Sequence, residues 1–103
     1  MAELDEGVVQ FSPLELEERV KTGVTVDVRE QVEMNELMFP FAARELHSIP
    51  LTELRERLDE IPFDQDLTIL CMRGTRSSEA VRIFKQKGAE KVAYMGGGLG
   101  FYQ

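Results

Sequence analysis

Apolar and polar positions alternate along this chain in blocks that switch between strand-like runs and helical spacing. Val8, Val9 and Phe11 form a short apolar run, followed by Ser12-Pro13-Leu14-Glu15, which offers an N-cap, a proline at the first helical position and a capping-box glutamate. A helix is predicted to begin there, with Leu14, Leu16 and Val20 on its buried side and Gly23 just past its end. The β-branched run Val24-Thr25-Val26-Asp27-Val28 predicts a buried strand of a parallel sheet, which places Asp27 and Arg29 at its carboxyl end. From Glu30 to His47 the pattern is weak: Val32 to Leu37 suits a short helix, and Phe39-Pro40-Phe41 interrupts any regular continuation.

Beyond that segment the periodicity returns. Leu51, Leu54, Leu58 and Ile61 recur at helical spacing between Pro50 and Pro62, so one helix is predicted there. After the turn-like Asp64-Gln65-Asp66, Leu67-Thr68-Ile69-Leu70 reads as a second buried strand that ends at Cys71. Met72 to Thr75 is a tight loop. Ser77 to Lys87 then carries Ala80, Val81, Phe84 and Lys87 at helical intervals, and Gly88 stops the helix. Lys91 to Met95 is a last strand, closed by Gly96-Gly97-Gly98. Strands alternating with helices predict an α/β fold, a small parallel sheet with helices on both faces. Ligands of such sheets bind outside the carboxyl ends of the strands, the edge where Asp27, Arg29 and Cys71 fall.

Composition narrows the functions available. A length of 103 residues suits one compact domain covering 1–103, and 43% hydrophobic residues spread along the chain argue for an ordered globule. The net charge of −7, from 19 acidic and 12 basic side chains, opposes nucleic acid and anionic lipid as partners. No stretch approaches the roughly 18 apolar residues of a membrane span. Met1-Ala2-Glu3-Leu4-Asp5-Glu6-Gly7 lacks the features of a signal peptide, so a cytoplasmic location is expected. The single cysteine permits no internal disulfide and no cysteine-based metal cluster.

That cysteine has an unusual setting. Cys71-Met72-Arg73-Gly74-Thr75-Arg76-Ser77 places a thiol between the end of a strand and the start of a helix. Backbone N–H groups of such a loop can turn inward as a nest, and the helix adds its unpaired amides and positive dipole end. Together with Arg73 and Arg76 they are expected to favour a thiolate at Cys71. A lone cysteine is ordinarily a small buried hydrophobe, but a core thiol has no need of a glycine three residues on or of two arginines. A cationic cluster in an acidic protein implies an anionic ligand.

The segment Cys71 to Arg76, a cysteine, four residues and an arginine, resembles the active loop of rhodanese domains. Val26-Asp27-Val28-Arg29-Glu30 is similar to the family's Asp-Val-Arg stretch, Ile49-Pro50-Leu51 to its Ile-Pro-Leu, and Met95-Gly96-Gly97-Gly98-Leu99 to its closing Gly-Gly segment. The resemblance implies a rhodanese-like sulfurtransferase that carries sulfane sulfur as a Cys71 persulfide. The donor would be thiosulfate or another small sulfur compound. The acceptor would be thiophilic: cyanide in vitro, a thiol or a protein in vivo. It implies no cofactor. Met72, Arg73, Gly74, Thr75 and Arg76 would form the substrate and anion loop, and Asp27 and Arg29 would support it; an equal alternative for these two is an ion pair that finishes the strand end. Related dual-specificity phosphatases have a loop one residue longer, which argues against phosphate chemistry here. The family's Gly-His-Ile-Pro-Gly-Ala is replaced by the stretch from Pro40 to Pro50, where Met38, Phe39 and Phe41 nearby could shape a partner surface. His47 reads as a strand-end residue rather than a general base. Tyr102 stands in place of the family's tryptophan, and the C-terminal helix is expected to be short or absent. The alternative function is a non-catalytic interaction module on the same scaffold.

Overall fold

The structure is a computed structural model that describes residues 2, 3, 9–30, 32, 42–71 and 75–95. Six strands form one sheet among these residues: β1 (Ala2–Glu3), β2 (Val9–Phe11), β3 (Val24–Asp27), β4 (Leu46–Ser48), β5 (Leu67–Leu70) and β6 (Val92–Met95). Their order across the sheet is β1-β2-β6-β5-β3-β4, with β1 antiparallel at one edge and the other five parallel. Helices α1 (Leu16–Thr22), α2 (Leu51–Leu54) and α3 (Thr75–Gln86) accompany them. The expected α/β architecture, a parallel sheet covered on both faces, is present.

Successive strand side chains point to opposite faces, so each strand feeds two cores. Val24, Val26, Val28, Leu67, Ile69, Cys71, Val92 and Tyr94 lie on the face covered by α2, by the 3-10 turn Leu58–Glu60 and by α3, where they meet Leu54, Leu58, Ala80, Val81 and Phe84. Phe63 adds an edge-to-face contact with Phe84, the ring centroids 5.7 Å apart. The opposite face packs Phe11, Leu70, Ala93 and Met95 against Leu16 and Val20 of α1. Strands β3, β5 and β6 are buried throughout, which is why their sequences run apolar instead of alternating with charge.

The α1 face also carries polar groups. Arg19 reaches from α1 to the sheet, donating from Nε to Thr68 Oγ1 at 3.0 Å and from a terminal nitrogen to the Leu67 carbonyl at 3.3 Å. Its guanidinium stacks 4.9 Å from the centroid of the Phe11 ring. Burial pushes the Arg19 guanidinium down from its ordinary value, while Asp66 and Glu15 pull the other way. Beside Thr68, across the β3–β5 ladder, lies Thr25, whose buried hydroxyl has no hydrogen-bond partner.

Several local expectations are corrected. The Ser12 start is a 3-10 turn over Pro13–Glu15, held by the Glu15 N–H on the Ser12 carbonyl; α1 itself has no side-chain cap. Leu14 is 93% exposed, not buried: it precedes Leu16 by two residues, which places it on the opposite side of a helix. Gly23 does follow α1 but is extended, and a Cβ there would come within 2.5 Å of the Asp66 carbonyl oxygen, so close approach of β3 to the chain before β5 is what requires glycine. Gly88, with φ of 102°, ends α3 in the left-handed region as expected, leaving Lys87 exposed in the turn.

The single helix predicted between Pro50 and Pro62 is in fact two pieces. The amides of Glu56, Arg57, Glu60 and Ile61 all reach carbonyls three residues back, at 3.0 to 3.2 Å, and Arg57 leaves helical geometry with φ of −120° and ψ of 15°. The apolar residues come as two pairs three apart, Leu51 with Leu54 and Leu58 with Ile61, a spacing that suits tight three-residue turns as well as an α-helix. The helix expected over Val32 to Leu37, the apolar Met38, Phe39 and Phe41, and the closing segment from Gly96 to Gln103 fall outside the described residues, apart from Val32, which is exposed.

Candidate active site

Three chain segments converge at the carboxyl edge of the sheet. The β3–β5 ladder sets Asp27 opposite Leu70, and the Val28 N–H continues it to the Leu70 carbonyl at 2.9 Å. From the other side the amides of Ile49 and Leu51 take the carbonyls of Asp27 and Val28 at 3.0 and 3.1 Å. Strand β5 is therefore held to its last residue, and Cys71 leaves it from a fixed position.

Cys71 continues the alternation of Leu67 and Ile69, so its side chain turns to the α3 face. It is 2% exposed. Although buried, the sulfur is not in a purely apolar setting, because α3 begins beside it. The Ser77 N–H, one of the first amides of α3, donates to Sγ at 3.3 Å. The Ser77 hydroxyl lies 3.2 Å from the same sulfur. Both groups and the amino-terminal end of the twelve-residue helix α3 therefore lie beside Sγ.

Asp27 and Arg29 form a buried ion pair at the same edge. Arg29 donates from Nε to both carboxylate oxygens at 3.0 and 3.1 Å and from a terminal nitrogen to Oδ2 at 2.8 Å, while its backbone N–H reaches Oδ1 at 3.1 Å. The Arg29 side chain is 1% exposed. This fork-to-fork pairing fixes the chain as it leaves β3, one strand away from Cys71.

The structure thus brings Asp27, Arg29, Cys71 and the start of α3 to one edge. Arg76 is half-buried in the first turn of α3, and Thr75 opens that helix. Met72, Arg73 and Gly74 lie outside the described residues. His47 is in the middle of β4 rather than at a strand end, and its Nε2 lies 2.7 Å from Glu45 Oε2. Among the described residues no group of three or more His, Cys, Asp or Glu side chains could hold a metal ion, and no helix is long and apolar enough to cross a membrane. Ser77, which the sequence reading places at the end of the loop pattern and the start of the next helix, is the residue it does not connect with the sulfur. The available signal was its place in the first turn of a helix that starts at the sulfur.

Comparison with known proteins bears on the family and the fold. The rhodanese-like domain family matches residues 12–102. A sulfurtransferase of Allochromatium vinosum is 36% identical over 75 residues, which cover 72% of this chain and 65% of that protein. Among solved structures, the reduced Bacillus anthracis CoADR-RHD superposes with a TM-score of 0.81 at 36% identity, over 92% of this chain and 16% of that one. The NAD-dependent persulfide reductase of A. fulgidus gives 0.74 at 40% identity, over 93% and 16%. The chain spans less than two thirds of the length of each of these proteins. Since the family match runs from the turn before α1 to beyond β6, and the resemblance in sequence is matched by the course of the backbone, the chain belongs to the rhodanese-like domain family.

Proposed function

We propose that this protein is a sulfurtransferase that carries sulfane sulfur on Cys71. The observation that carries the proposal is the approach of the Ser77 amide to Sγ at 3.3 Å: a helix start is aimed at the one thiol of the chain. In the first half-reaction the Cys71 thiolate attacks the outer sulfur of a donor such as thiosulfate. A bond forms between Sγ and that sulfur, the donor's S–S bond breaks, and its electron pair leaves with sulfite. In the second, a thiophilic acceptor attacks the outer sulfur of the persulfide, and the Sγ–S electron pair returns to Sγ as thiolate. Cyanide would leave as thiocyanate. The charge on Cys71 is the same before and after, so no oxidant or reductant enters.

In this reading Met72, Arg73, Gly74, Thr75 and Arg76 form the anion-binding loop, with the two guanidiniums holding donor oxyanions. Asp27 and Arg29 support the loop by fixing the neighbouring strand end. Deep placement of the sulfur favours slender reactants, a small inorganic donor or the extended end of a thiol. The A. fulgidus relative is named a persulfide reductase, which supports a thiol-borne persulfide as donor or product alongside thiosulfate.

Incubation with thiosulfate and with other sulfane donors, followed by intact mass measurement, tests the reading. The protein should gain one sulfur atom that cyanide removes, and Cys71→Ser should gain none. Absence of an adduct with every donor would reject it. The 2% exposure of Cys71 favours a second reading, a non-catalytic interaction module; that reading requires partner binding that survives Cys71→Ser without any sulfur adduct.

A further inference from the structure

Ser77 meets Cys71 Sγ twice, through a backbone amide that is fixed by the helix and through a hydroxyl that can rotate. A hydroxyl both donates and accepts. When the sulfur is a thiol, its proton can go to Ser77 Oγ; when it is a thiolate, the hydroxyl turns and donates to it. The Ser77 side chain is fully buried, so this exchange takes place away from bulk water, where hydrogen bonds to charge are strong.

The two half-reactions make different use of that charge. During loading, Sγ is the attacking atom. Hydrogen bonds to an attacking thiolate stabilise it but reduce its nucleophilicity, and the two effects partly offset. During discharge, the acceptor's lone pair bonds to the outer sulfur, the Sγ–S bond breaks, and its electron pair stays on Sγ. Here Sγ is the leaving group, and anything that stabilises its thiolate speeds departure without an opposing effect. Resting on the sulfur-relay reading above, we propose that Ser77 is a further catalytic residue, which acts on discharge of the Cys71 persulfide more than on its formation by receiving Sγ as the departing thiolate. The amide acts in the same sense, and the hydroxyl is the part that a side-chain substitution removes.

Steady-state kinetics with thiosulfate and cyanide separates the two steps, since in a ping-pong reaction kcat/KM for the donor reports loading and kcat/KM for the acceptor reports discharge. Ser77→Ala should lower kcat/KM for cyanide about tenfold and leave that for thiosulfate within about threefold, as expected when leaving-group stabilisation is lost. At saturating thiosulfate, intact mass should show more of the Ser77→Ala protein in the persulfide form than of the unsubstituted protein. Ser77→Thr should restore the ratio, while Ser77→Val, of the same volume as threonine but without the hydroxyl, should not. This second pair decides the matter if Ser77→Ala does not fold. Equal loss in both constants, loss in neither, or full restoration by valine overturns the proposal. If the unsubstituted protein takes up no sulfur from any donor, the sulfur-relay reading falls, and the role of Ser77 with it. That failure is visible without any variant and so differs from failure of the Ser77 proposal alone.

Discussion

Asp27 and Arg29 have almost no water contact, and each gives the other an opposite charge at hydrogen-bond distance. Asp27→Asn should remove about 3 to 5 kcal/mol of stability in urea denaturation, because it takes the carboxylate away from a buried guanidinium. Replacing both, as Asp27→Leu with Arg29→Met, should cost less than the single change. Thr25 presents the reverse case, a buried hydroxyl without a partner. Thr25→Val keeps the shape, removes the stranded oxygen, and should raise stability by about 1 kcal/mol in the same measurement. The sequence showed the positions of Asp27 and Cys71 because both follow directly from where apolar strands end. It also offered the Asp27–Arg29 ion pair as a way to finish the strand, and that pair is present; it did not show that Ser77 returns to the sulfur, which depends on the path of the chain between them.

At the scale of elements, the stretch from Leu51 to Glu60 is held by side chains as much as by its backbone. Arg57 bonds Glu53 at 3.0 Å and Glu60 at 2.9 and 3.1 Å, bridging α2 and the 3-10 turn where the regular helix is broken. The hydrogen bond from Arg57 holds the Glu60 carboxyl below its ordinary value, with His47 adding a smaller effect in the same direction. A carboxyl lowered in the folded state stabilises at pH above its ordinary range, and that contribution disappears as pH falls through the lowered folded value. Both partners are open to solvent, so the contribution is small and screened by salt. In an NMR titration Glu60 should deprotonate at lower pH than ordinary glutamates, and Arg57→Gln should move its midpoint upward. The break at Arg57 was hidden in the sequence because a 3-4-3 apolar spacing suits both one helix and two tight turns. Strand β4 was legible only in the reading of His47 as a strand-end residue: Leu46-His47-Ser48 is short, has no β-branched residue and is only partly covered, so the burial signal that marked β3 and β5 is weak there.

For the molecule as a whole, two apolar layers divided by one sheet account for which side chains matter. Phe84→Ala should cost about 3 to 5 kcal/mol, since it empties the centre of the larger layer, whereas Leu14→Ala should change stability by less than about 0.5 kcal/mol; thermal or urea unfolding distinguishes them. The parallel sheet was legible because β3, β5 and β6 are continuous apolar runs separated by helical spacing and turn residues, so local pattern and final packing agree. Their lateral order was not, because nothing local states which strand lies beside which. That order has a consequence for biosynthesis. Strand β6, the last to be made among those described, is inserted between β5 and β2, so β2 and the β1 paired to it have no parallel neighbour until Val92 to Met95 has left the ribosome. The amino-terminal strands must therefore wait until β6 has been made, their bonding edges open to nascent-chain chaperones, before the sheet can close around the element that completes it.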